Sequence, residues 1–350
     1  MPEKIYTVNH EKLARIVTNY VRDVLASKNG THQRDFLVPL ILGPNGIGKS
    51  AVVKQVSDSL GIAFLDVRLL TAFPTDLRGM PYVQEGNVVW ARPYFVPQDG
   101  QGLLFFDEFT NCGPDMQAAT YELIQTGRCG THELAPGWAI ALAGNRVQHR
   151  TGARPILQGI ATRVFQLELK VETPVWVRWA VANALDSRVI GYINANPQLL
   201  MKDDPDQDSQ CRPRTWTDVS RQLTVQEEED WPECFAGTIG EGEASAFLNY
   251  LKGLKLPTPT EILSGTPLPS AQAAMYTCAI NTAQFIQKLS PEEVNATALS
   301  AFLRVSLRWP RDIGYFLFSA LTDNNQKAKI VLMQSPYWQD WRDAYSKVVL

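Results

Sequence analysis

The residues best suited to chemistry in this chain are GPNGIGKS at 43–50. They fit G-x-x-x-x-G-K-[ST], a spacing that arises by chance in about one chain in a hundred of this size. Gly43, Gly46 and Gly48 permit a tight loop whose main-chain amides turn inward toward phosphate oxygens. Lys49 has the reach to meet β- and γ-phosphates, and the Ser50 hydroxyl suits Mg²⁺. The helix that opens here adds its N-terminal dipole. The expected holding set is Gly43, Pro44, Asn45, Gly46, Ile47, Gly48, Lys49, Ser50 and Ala51, with ATP and Mg²⁺ as ligands. A second group is LLFFDE at 103–108. Four apolar residues ending in two carboxylates describe a buried strand that delivers acids at its C-terminal end, where open α/β sheets bind ligands. Asp107 would hold Mg²⁺ through its water shell, and Glu108 would polarise an attacking water.

These groups need a frame. FLVPLIL at 36–42 is a continuous apolar run, the pattern of a strand buried on both faces. Pro39 within it removes a ladder donor, which suits an early strand position or a bulge. The spacing predicts helices over 11–27 and 49–60, then strands over 62–69 and 103–106. A helix over 114–126, a strand over 138–143, a short helix over 155–162 and a strand over 164–169 follow. Such alternation predicts a parallel sheet with helices on both faces. The turn at 27–30 ends the first helix, 71–100 breaks the rhythm with Pro, Gly and aromatics, and 127–137 suits a small hairpin. After Pro174 only helices and polar loops are expected, including a loop at 202–213 and a helix at 214–224.

In this order the pieces resemble the AAA+ ATPases, and within them the MoxR-like branch. GPNGIGKS, LLFFDE and AGNR at 143–146 are shared with most AAA+ proteins, as the resemblance has it. DLRGMPYV at 76–83 with Trp90 soon after, and RPRTW at 212–216, point to the MoxR-like branch; ILQGIATRV at 156–164 adds to the match. The resemblance covers about residues 30–225 and leaves the last third without a usable motif. It implies a P-loop α/β domain at 1–173, a helical lid at 174–225 and a helical extension at 226–350. It implies that Asn145 is a sensor that orients the water, and that Arg214 is a lid arginine reporting on the γ-phosphate in the same subunit. Arg163 would be an arginine finger acting on a neighbour's nucleotide, with Arg150 the second choice and Arg146 and Arg154 close by. A planar guanidinium suits the spread charge of phosphoryl transfer. A residue acting in trans requires an oligomer, and the resemblance makes a hexameric ring the leading expectation. The implied role is a motor that remodels or matures a protein client, often coupled to a VWA-domain partner.

Tyr82, Trp90, Tyr94 and Phe95 lie among Gly79, Pro81, Pro93 and Pro97. In AAA+ rings such segments often face the channel, where aromatics grip a client. For Trp90 the plainer expectation is packing on a neighbouring helix. QEEED at 226–230 reads as a solvated surface, and YWQDWRDAY at 337–345 as a helix packing within the chain.

Composition narrows the remaining classes. A formal net charge of −3 gives no global attraction to nucleic acid, so a nucleic-acid motor or loader is the alternative reading. A small-molecule kinase or a slow nucleotide switch is opposed by Arg163, Arg214 and Glu108. The five cysteines show no C-x-x-C, there is no zinc pattern, and no apolar run reaches a membrane span of roughly 20 residues. A reducing, cytoplasmic setting with no membrane contact is expected.

Overall fold

The computed structural model describes residues 5–27, 36–146, 152–202, 209–288, 296–322 and 326–345. The helix stop at 28–30, the centre of the polar loop at 203–208 and Arg150 lie outside the described residues. The chain divides into two compact units, Met1–Val171 and Glu172–Leu350.

In the first unit the apolar runs become β2 (Val38–Leu42), β3 (Ala63–Arg68), β6 (Gly102–Asp107), β9 (Trp138–Gly144) and β10 (Val164–Leu169). A further strand, β1 (Tyr6–Val8), was not legible, since three residues carry no periodic signal. The six form one sheet in the order β1-β10-β2-β9-β6-β3, with every neighbouring pair parallel. The expected P-loop α/β fold, a parallel sheet between helices followed by an all-helical part, is the fold of this chain.

Pro39 is accommodated by its register. Val38 N–H faces β10, donating to Arg163 O at 2.9 Å, so the neighbouring position faces β9. Pairing with β9 begins only at Leu40. The missing donor therefore falls just outside that ladder.

Alternate strand residues feed two cores. Val38, Leu40, Leu42, Leu104, Phe106, Ile140 and Leu142 pack with Met116, Ala119, Leu123 and Ile124 of α4 (Pro114–Thr126). On the other face lie α1 (His10–Ala26) and α2 (Lys49–Leu60). Leu13, Val17, Val21 and Val24 of α1 are buried at helical spacing. Each such side chain contributes about 1.5–3 kcal/mol. Asn9 caps α1 by accepting from Lys12 N at 2.9 Å.

The irregular segment contains α3 (Pro74–Arg78) and a hairpin of β4 (Pro81–Gln84) and β5 (Asn87–Trp90). Trp90, expected on a neighbouring helix, belongs to β5 and is exposed. It sits on this hairpin at 38 % exposure, with Tyr82 at 47 % and Tyr94 at 80 %. Only Phe95 of the four aromatics enters the core, edge-on to Phe106. The small hairpin at 127–137 forms as β7 (Arg128–Cys129) and β8 (His132–Glu133). It is tied to the first hairpin through the His132 Nε2 contact with Trp90 O at 3.0 Å, and Arg92 Nη1 donates to Glu133 O at 3.0 Å. A single turn, α5 (Gln158–Ala161), precedes β10.

The second unit is helical. It runs α6 (Thr173–Ala182), α7 (Ser187–Ala195), α8 (Pro213–Val225), α9 (Trp231–Ile239), α10 (Glu241–Gly253) and α11 (Pro259–Ser264). It continues with α12 (Gln272–Lys288), α13 (Ala296–Ser306), α14 (Arg311–Thr322), α15 (Gln326–Met333) and α16 (Trp338–Tyr345). α7 and α12 meet closely at Gly191, where an added Cβ would overlap Thr277 Oγ1 and lie 2.7 Å from Thr277 N. Trp341 of α16 stacks on Phe318 and Tyr345, with ring centroids 4.3 and 4.4 Å away, so the aromatic tail packs within the chain as expected. The acidic run 226–230 is exposed. Among the described residues no helix is long and apolar enough to cross a membrane.

Candidate nucleotide-binding site

The loop 43–48 joins β2 to α2 at the C-terminal edge of the sheet. Its glycines hold φ values of +155° at Gly43, +77° at Gly46 and +94° at Gly48. A Cβ on Gly43 would lie 2.6 Å from Ile47 Cδ1. Ile47, 1 % exposed, anchors the loop in the core. Gly43 N donates to Gly144 O at 3.2 Å, so the loop is tied to the end of β9.

Lys49 is only 7 % exposed. Its Nζ donates to Gly43 O at 2.7 Å, Pro44 O at 3.0 Å and Asn145 Oδ1 at 3.1 Å. Ser50 Oγ donates to Asp107 Oδ2 at 2.7 Å. The two motifs, separated by more than fifty residues, thus meet at one hydroxyl–carboxylate pair. A hydroxyl and a carboxylate are hard oxygen donors of the kind that hold Mg²⁺ with waters completing its shell.

Glu108 follows with φ +58°, a left-handed conformation rare outside glycine. Three hydrogen bonds hold it. Its own N–H donates to Asp107 Oδ1 at 2.8 Å, its carbonyl accepts from Asn111 N at 2.9 Å, and Phe109 N donates to Ala143 O at 2.8 Å. This bend turns the chain sharply after Asp107. Such strain costs about 1–3 kcal/mol and recurs at functional sites.

Asn145, 1 % exposed, is clamped by Thr110. Thr110 Oγ1 accepts from Asn145 N at 2.7 Å and donates to Asn145 O at 2.9 Å. Asn145 Nδ2 and Glu108 Oε2 are both buried without a hydrogen-bond partner. Unpartnered buried polar atoms are exceptional and cost about 1–3 kcal/mol each. A donor and an acceptor left open beside a lysine and a hydroxyl–carboxylate pair fit a terminal phosphate and its water. Among the described residues no group of three or more His, Cys, Asp or Glu forms a denser metal cluster. On β3, burial pushes the Asp66 carboxyl above its usual 3.8, and the Asp107 charge adds to this against the lowering effect of Arg68.

The arginines separate. Arg146 Nη1 is paired with Glu168 Oε2 at 2.9 Å. Arg154 is exposed, and its N–H donates to Thr110 O at 2.7 Å. Arg163 is half-buried with Nε lacking a partner. It precedes Val164, which pairs with Val38 at the start of β2. Five strand steps separate that level from Gly43, about 16 Å at 3.3 Å per residue. Arg163 therefore lies at the opposite end of the sheet from its own loop. Arg214 is exposed in the first turn of α8 in the second unit.

Two residues here were missed in the sequence. Thr110 lies two positions past the acidic pair, and only that proximity hinted at it. His10 touches the loop from α1, with Nε2 2.7 Å from Ile47 O, and nothing in the sequence signals it.

No family model matches the chain. No curated protein matches it either. Among solved structures, the chain is similar to the RuvB Holliday junction branch migration motor of Thermotoga maritima. Identity is 12 %, the TM-score is 0.40, and 73 % of this chain and 75 % of that one are covered. A variant of the same RuvB aligns at 13 % identity and a TM-score of 0.42, covering 75 % of this chain and 80 % of that one. NtrX of Brucella abortus, in complex with ADP, aligns at 12 % identity and a TM-score of 0.40, covering 98 % of this chain and 69 % of that one.

Proposed function

We propose that this chain is an AAA+ ATPase that hydrolyses ATP to ADP and phosphate and couples the reaction to remodelling of a protein client. The observation that carries the reading is the meeting of Ser50 with Asp107, beside the buried unpartnered Glu108 Oε2 and Asn145 Nδ2.

The division of labour follows from that geometry. The amides of 43–48 and the α2 N-terminus bind phosphate oxygens, and Lys49 exchanges its loop carbonyls for the terminal phosphates. Ser50 and Asp107 would hold Mg²⁺. When bound, the ion neutralises charge on the β- and γ-oxygens. Asn145 Nδ2 orients the attacking water, and Glu108 Oε2 takes its proton. Arg163, about 16 Å from its own loop, acts on a neighbouring subunit's nucleotide. Arg214 is the proposed γ-phosphate sensor. The assembly is a closed ring, with a hexamer as the proposed size, and the client machinery is of the MoxR-like kind with a VWA-domain partner.

Phosphate release by the wild type, by Lys49→Ala and by Glu108→Gln tests the reading. Glu108→Gln should retain ATP and lose about 10²–10⁴-fold in turnover. Turnover at the wild-type rate would remove Glu108 from the mechanism. If DNA stimulates hydrolysis and the effect falls steeply with salt, the chain is a nucleic-acid motor instead.

A further inference from the structure

The N-terminal segment takes part in the phosphate-binding loop. β1 adds to the sheet edge beside β10, and Lys170 N donates to Val8 O at 2.9 Å, which fixes where the chain leaves the edge. Asn9 then caps α1, and His10 occupies its first helical position. The imidazole arrives at the loop with Nε2 2.7 Å from Ile47 O, and it lies 3.4 Å from where a Cβ of Gly48 would stand. A carbonyl only accepts, so Nε2 carries the proton.

The carbonyl of Ile47 and the N–H of Gly48 belong to one planar, trans peptide and point in opposite directions. Gly48 adopts φ +94°, and its lack of a Cβ leaves that peptide free to rotate. Whatever holds the Ile47 carbonyl outward also aims the Gly48 amide inward. We propose that His10 is a positioning residue that pins the Ile47–Gly48 peptide and so presets the Gly48 amide to donate to a nucleotide phosphate. The inference rests on the nucleotide-binding reading of 43–50. An edge strand and helix that precede the motif thereby set part of its phosphate affinity.

The test is calorimetric titration of Mg–ADP and of inorganic pyrophosphate into the full chain, for the wild type and His10→Gln, His10→Asn and His10→Phe. Gln carries an amide donor at about the reach of Nε2, Asn falls short, and Phe fills the space without a donor. One hydrogen bond's worth of preorganisation predicts about five- to tenfold weaker binding for Phe and Asn, with Gln close to wild type. Pyrophosphate should lose affinity as ADP does, because the effect is on phosphate. The nucleotide-free unfolding midpoint of each variant checks that folding is retained, and Asn carries the test should Phe not fold. Equal affinities across the series would overturn the proposal, as would Gln as weak as Phe, which would assign the effect to ring packing. A wild type that binds no nucleotide would instead overturn the parent reading, and this inference with it.

Discussion

At the scale of single residues, the site combines paired groups with two open ones, Glu108 Oε2 and Asn145 Nδ2. Lys49 spends its donors on two loop carbonyls and Asn145, while Ser50 spends its proton on Asp107. Lys49→Ala should abolish detectable ATP binding, because it removes the buried cation held against the loop carbonyls of Gly43 and Pro44. The trans role of Arg163 has its own test. Arg163→Ala should bind ATP nearly as well as the wild type and hydrolyse none. Mixed with Glu108→Gln, it should regain activity, since the second chain supplies Arg163 to a site with an intact Glu108. Hydrolysis by Arg163→Ala alone at the wild-type rate would exclude the residue from the reaction. Lys49, Ser50 and Asp107 were picked out in the sequence because phosphate binding needs contiguous backbone and fixed spacing, whereas the roles expected of Asn145 and Arg163 came from the family resemblance. Thr110 and His10 escaped, since each acts through a main-chain group of a distant residue and any of several side chains satisfies such a bond.

At the scale of elements, boundaries read from periodicity agree where the apolar pattern is long. The helix over 49–60 and the helix over 114–126 begin and end where the spacing predicted. β1 and the β4–β5 hairpin were not legible as strands, because short strands with exposed faces carry no alternation between core and solvent. Trp90 was expected on a helix because large aromatics are usually buried, yet its side chain remains partly open on the hairpin. Tyr82, more open still, should be dispensable for folding. Tyr82→Ala should leave the unfolding midpoint and basal hydrolysis unchanged and reduce stimulation by a client; a large fall in basal rate would assign it a structural role. Gly191 makes the opposite case. Gly191→Ala forces α7 and α12 apart at Thr277, an overpacking worth about 1–3 kcal/mol. The melting midpoint should drop by roughly 2–12 °C, at about 2–4 °C per kcal/mol. An unchanged midpoint would show that the helices separate freely.

At the scale of the molecule, an α/β unit carries the 43–50 and 103–108 motifs and a helical unit follows it in sequence. The first was legible because its motifs and alternating elements agree. The second was legible only as helical, since close packing such as that of Trp341 on Phe318 leaves no motif. Buried thiols give the whole chain a pH signature. Burial raises Cys112, Cys129 and Cys278 from 9.0 to about 11, and Cys211 to about 12. The folded state therefore keeps protons that the unfolded state loses. Stability should be full below pH 9 and fall as pH rises from 9 toward 11–12. Denaturant titrations across that range check the sign, and alkylation at pH 8 should label the half-buried Cys234 before the other four. The central claim is that a triphosphate is held at 43–50 against the acids at 107–108. Calorimetric titration of Mg–ATP into Glu108→Gln tests it most directly. The account predicts saturable heat at one site per chain, lost when Lys49→Ala is added to the same variant; no heat, or heat that survives the loss of Lys49, would contradict it.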